Sequence, residues 1–149
     1  SNYVFGGITS GDAVKGTDAG DQPEQTYIEQ FNWLSDNSYF LGKWWGMYDG
    51  VARANEAMLL AQSADVKDMT DAEKAQVVAE AKFLRGHFHF EAKKMWNKVP
   101  YISETVYKRD DPNSTKIPNT ADIWANIEKD FSDAAAVLPA AAAAAAASL

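Results

Sequence analysis

Apolar residues recur with helical spacing along three stretches of the chain. Between Lys43 and Ser63, Trp44, Tyr48, Val51, Asn55 and Met58 fall at steps of four, three, four and three, so they share one face of a helix. Gly46 and Gly50 weaken its first turns. Asn55 stands on an otherwise apolar face, which suits a buried amide that satisfies loop backbone groups.

The second stretch predicts a helix from Thr70 to Asn97. Thr70 and Glu73 in TDAE have the spacing of a capping box, and Asp71 adds a favourable charge in the first turn. Val77, Ala81, Leu84, Phe88 and Met95 line one face, while Ala79, Phe83, Gly86 and Phe90 line nearly the opposite one. A helix apolar on two sides is sandwiched between neighbours. Pro100 stops it near Asn97.

A third helix starts after Pro118, with Asn119 or Thr120 as cap and Ile123, Ile127, Phe131, Ala134 and Leu138 as its stripe. Trp124 is expected to be buried beside Ile123 and Ile127, and Pro139 to end or kink the helix. The connection before it carries three prolines and reads as extended near Val99–Ser103, then as loop. No segment is rich in strand signals. The pattern predicts an all-α array of antiparallel helix pairs with long ordered loops.

The first forty residues carry most of the glycines, lack a sustained period, and predict ordered loop with a short helix. Aromatics then crowd together: Tyr27, Phe31, Trp33, Tyr39, Phe40, Trp44, Trp45 and Tyr48. Rings among turn residues suggest either loop packed on a core or a ligand surface. The organisation is a loop-rich segment over 1–42, a helical scaffold over 43–139 and an alanine-rich tail over 140–149.

Composition narrows the function. At 149 residues the chain is long enough for one real core. A net charge of −7, without a basic cluster, argues against a nucleic-acid partner. The absence of cysteine removes disulfides, thiolate metal sites and a cysteine nucleophile.

The stretch RGHFHFEAKKMW holds both histidines, His87 and His89. On a helix they stand about 200° apart, so they do not chelate one metal. His89 joins Lys82, Arg85 and Lys93 on a basic face, and His87 joins Glu80, Glu91 and Lys94. Both are expected to be structural or solvated, with no metal and no cofactor. Asp110 and Asp111 lack the alternating ligands of a calcium loop and read as a solvated turn. No nucleophile elbow or phosphate loop is present.

Three segments together resemble a known family. WWGMYDGVARANEAM carries an aromatic, a tyrosine and a helix reaching an Ala-Asn pair; AEAKFLRGHFHFEAKKMWNKVPYISE carries Phe-Leu-Arg, an aromatic cluster and a Val-Pro hinge; IWANIEKDFSDAAAVLP carries Ile-Glu, Lys-Asp, spaced alanines and Leu-Pro. Their order and spacing resemble the SusD/RagB family across about Trp44 to Pro139. Asn97-Lys98 replaces the usual Gly-Asp before Val-Pro, and Lys116-Ile117-Pro118 replaces the usual arginine before the third helix.

The resemblance implies a tetratricopeptide-like scaffold and a non-enzymatic, exported protein. Such a protein is lipid-anchored, exposed on the cell outer membrane, and captures glycans or other nutrients for a SusC-type TonB-dependent transporter. It also implies that this chain is an N-terminal portion of a larger SusD-like fold, without the anchoring cysteine. Sugar contacts are expected partly from the early loops, with Asp12, Trp33, Asp36 and Asn37 as candidates. A tryptophan face covers the apolar face of a sugar, and carboxylate and amide groups take its hydroxyls. Against this stands a plainer arrangement, in which Trp33 packs on the scaffold and Asp36-Asn37 is a turn. The alternative function is a helical-repeat protein-interaction module. An enzyme is disfavoured, because no nucleophile and base are placed together.

Overall fold

Thr70 opens the longest helix as its local sequence dictates. Its hydroxyl accepts the Glu73 N–H at 3.3 Å, and its own N–H donates to Glu73 Oε2 at 2.7 Å, closing the capping box. The computed structural model describes residues 3–18, 20–63 and 66–138. Among them it contains only helices and loops: a π-helical turn at Tyr3–Gly7, then α1 (Ile8–Ser10), α2 (Pro23–Glu29), α3 (Ser38–Ala61), α4 (Asp71–Trp96), a 3₁₀ turn at Pro112–Thr115, and α5 (Trp124–Ala135). The protein is all-α, as its periodicity predicts. The chain forms two compact units, Ser1–Gly46 and Met47–Leu149.

In the first unit the expected loop contains more helix than its composition suggests. Pro23 occupies the first turn of α2, where its missing N–H costs nothing, and Glu24 adds a charge suited to that end. The far end of α2 closes as a Schellman motif: Phe31 N–H reaches the Ile28 carbonyl at 3.1 Å, and Asn32 N–H reaches the Tyr27 carbonyl at 2.8 Å. Ile28 is fully buried, while Phe31, at the left-handed position with φ 53°, is not.

α3 begins at Ser38, five residues before the expected Lys43, because Asn37 caps it. The Asn37 side-chain oxygen accepts the Tyr39 N–H at 3.1 Å, which satisfies a helix-end donor.

In the second unit, Ala54 and Met58 of α3 pack on Ala81 of α4, flanked by Ala57 and Val78. Gly50 earns its place there. A Cβ at that position would lie 2.4 Å from the Phe88 ring. α4 and α5 approach closely at Gly86, where a Cβ would stand 3.1 Å from that of Asp130.

Other expectations need correction. The face of α4 read as basic is the buried one: Arg85, His89 and Lys93 are each 4% exposed or less. Phe83 and Leu84, each expected to face a neighbour, are nearly half exposed. The reason is the extended segment after Val99. Its backbone polar groups enter the core and need partners there. Asn55 Nδ2 donates to the Ile102 carbonyl at 3.0 Å, as its apolar setting suggested. His89 Nε2 accepts the Ile102 N–H at 3.1 Å, and Tyr48 donates to the Pro100 carbonyl at 2.9 Å. His89 of α4, with Tyr48 and Asn55 of α3, therefore does what apolar side chains cannot.

α5 begins at Trp124, and the Asp122 carboxylate caps it by accepting the Trp124 N–H at 3.1 Å. Asn119, one of the two expected caps, instead donates to the Lys98 carbonyl at 3.2 Å. Trp124 is 40% exposed rather than buried; it packs against the Phe90 ring and the Lys93 ammonium. Pro139 and the alanine tail lie outside the described residues.

Candidate functional site

In the first unit, the segment between α2 and α3 leaves one helix and enters the next through two clamps. Asn37, buried to 3% exposure, donates its amide to the Glu24 carbonyl at 3.0 Å. The Glu24 carboxylate accepts both the Ser38 hydroxyl and the Ser38 N–H, the latter at 3.0 Å. Those bonds, the hydroxyl first, hold the Glu24 carboxyl below its ordinary pKa. Tyr39 completes the base by bonding Gln22 and Gln25. The start of α2 and the start of α3 are thus tied together, and residues 31–36 project from a fixed base.

That loop carries rings. The Trp33 ring centroid lies 5.9 Å from that of Phe31 and 5.4 Å from that of Phe40. Phe40 in turn lies 5.4 Å from Phe5. Trp33 is 42% exposed and Phe31 63%, so the cluster offers an aromatic ledge rather than a sealed core. Leu34 beside it is more exposed still. A non-glycine residue in the left-handed region costs of order 1–2 kcal/mol. The fold tolerates this at Phe31 while leaving most of the ring in solvent, a poor bargain for stability alone.

The four sequence-derived candidates fall in different circumstances. Trp33 is half-exposed at the centre of the ledge. Asp36 is exposed on the same loop. Asn37 is buried, and both ends of its amide are engaged in holding the loop. Asp12 is exposed and accepts the Ser10 hydroxyl at 2.8 Å. Among the described residues, no hydrogen bond or ring contact joins Asp12 to the other three. Phe31 and Phe40 belong to the ledge and were not singled out from the sequence. Their clustering was visible there, but the left-handed turn that presents Phe31 was not.

The histidines take separate roles in the second unit. His89 donates from Nδ1 to the Arg85 carbonyl at 3.0 Å and accepts at Nε2, which fixes a neutral tautomer. Burial pushes its pKa down to about 4. His87 is exposed, its ring against Phe88. Beneath His89, the Arg85 guanidinium grips Asp130 and also bonds Asn55 and Glu104. Burial opposes its charge, and the two carboxylates more than offset that, raising its pKa. This buried network ties α3, α4, α5 and the extended segment together.

A family model matches residues 15–147: SusD-like, described as starch-binding and associating with the outer membrane. The chain belongs to the SusD-like family. Starch or glycan binding at the outer membrane is what that membership implies. No curated protein and no solved structure matches the chain.

Proposed function

We propose that the aromatic ledge of Phe31, Trp33 and Phe40, with Asp36 beside it, is a glycan-binding surface. In this reading the protein holds a starch-like chain by stacking rings on the apolar faces of its sugars. Asp36 accepts sugar hydroxyls, and Asn37 keeps the loop in place. Asp12 is a further contact from the neighbouring loop. The protein binds and does not cleave. It is lipid-anchored and exposed on the cell outer membrane, and it passes glycan to a SusC-type TonB-dependent transporter from a tetratricopeptide-like scaffold. Family membership supports the setting, and the half-exposed Trp33, held between two rings on a clamped loop, supports the site.

Calorimetric titration with maltoheptaose tests the site. Trp33→Ala should weaken binding at least tenfold, about 1.4 kcal/mol, with the melting temperature little changed. Unchanged affinity would return Trp33 to a packing role. The competing reading, a helical-repeat module for protein partners, gains if maltoheptaose and other glycans fail to bind at all.

A further inference from the structure

We propose that the cleft between residues 14–17 and α2 is a second sugar site, built for a single ring with free vicinal hydroxyls. Its ligand class rests on the glycan-binding reading above, but none of its lining residues belongs to the ledge. Val14, Lys15, Gly16, Thr17, Thr26 and Glu29 enclose about 270 Å³.

The loop side of the cleft is braced. Gly16 turns it with φ 86°, and the Tyr3 hydroxyl donates to the Val14 and Lys15 carbonyls at 2.9 and 3.2 Å. The Lys15 ammonium donates to the Asp18 and Asp21 backbone carbonyls. Among the described residues it makes no ion pair with Glu29, whose carboxylate receives the Lys15 backbone N–H at a long 3.4 Å.

The helix side holds an anomaly. The Thr26 hydroxyl is buried without a hydrogen-bond partner, alone in this among the side-chain polar atoms of the described residues. A buried hydroxyl left unpaired is unfavourable, so its presence calls for a partner. Thr26 itself lines the cleft, so a ligand seated there supplies the missing partner. A carboxylate accepts two adjacent hydroxyls at once, and a threonine hydroxyl both donates and accepts. With Val14 and Thr17 along the same cleft, these are the groups a sugar requires.

The test is an amide chemical-shift titration with methyl α-D-glucopyranoside, with the per-O-methylated glucoside as control. Saturable shifts at Gly16 and Thr17 are expected with the first sugar only. Glu29→Gln and Thr26→Val should each weaken them at least tenfold, whereas Thr26→Ser should retain them. A merely structural hydroxyl would instead move the melting temperature and leave affinity alone. Trp33→Ala should leave these shifts intact while losing maltoheptaose, so failure at the ledge and failure at the cleft are separable. No shift at Gly16 and Thr17, equal shifts with the methylated control, or equal affinity in Glu29→Gln and Thr26→Val would leave only an ordered water in the cleft and overturn the proposal.

Discussion

Arg85 of α4 and Asp130 of α5 meet side by side in the core, Nε to Oδ2 at 2.9 Å and Nη2 to Oδ1 at 2.6 Å, with both side chains under 5% exposed. Tyr101 adds a hydroxyl to Asp130 at 2.8 Å. Breaking a buried pair from one side leaves the other charge stranded, which costs about 3–5 kcal/mol. Arg85→Met strands Asp130 with only neutral donors. Asp130→Asn leaves Arg85 its Glu104 partner and should cost less. Urea unfolding of both variants checks this order, and equal or reversed costs would show that Glu104 does not share the charge.

His89 makes the fold sensitive to acid. Its folded pKa of about 4 lies below the ordinary histidine value of 6.5, because burial disfavours the imidazolium. Between those pH values the unfolded chain binds a proton that the fold refuses. Stability is therefore highest above pH 6.5 and is lost as pH falls toward 4, by about 3 kcal/mol in all. Carboxylates contribute near the lower end, so the comparison is with His89→Gln. The wild-type protein should lose more stability between pH 6.5 and 4 than the variant, and parallel losses would count against a neutral buried His89.

Local features were legible and distant ones were not. The capping box needs only Thr70 and Glu73, three residues apart, and both were readable. The polar spine of α4 was misread because its partners are remote: Asp130 is 45 residues from Arg85, and Ile102 is 13 from His89. Without those partners, Arg85, His89 and Lys93 look like a solvated face. At the ledge, Trp33 was legible as a ring among turn residues. The role of Asn37 as a clamp on the loop was not, because it depends on the Glu24 carbonyl, 13 residues away.

Gly50 and Gly46 of α3 should respond oppositely to alanine. Alanine is favoured over glycine in a helix by about 0.5–1 kcal/mol. At Gly46 nothing lies within 4 Å of the new Cβ, so Gly46→Ala should stabilise by about that amount. At Gly50 the Cβ would meet three atoms of the Phe88 ring at 2.4–2.6 Å. Overpacking there should cost about 1–3 kcal/mol. Thermal melts of the two variants give the signs directly, and a stabilised Gly50→Ala would show that Phe88 moves aside freely.

Phe31 separates stability from binding. It holds the left-handed position that ends α2, where glycine is the usual residue and a ring brings strain. Its backbone N–H reaches the Ile28 carbonyl whatever the side chain, so Phe31→Gly keeps the motif. Relief of the left-handed strain, about 1–2 kcal/mol, is partly offset by the greater entropy of glycine in the unfolded chain. The ring is 63% exposed, so little burial is forfeited. The variant should melt at the same temperature or higher. If the ledge binds glycan, the same change should weaken maltoheptaose, because one stacking surface beside Trp33 is gone. Melting curves and calorimetric titration of the one variant therefore give opposite signs. A lower melting temperature with unchanged affinity would mark Phe31 as a packing residue and remove the strain from the case for the ledge.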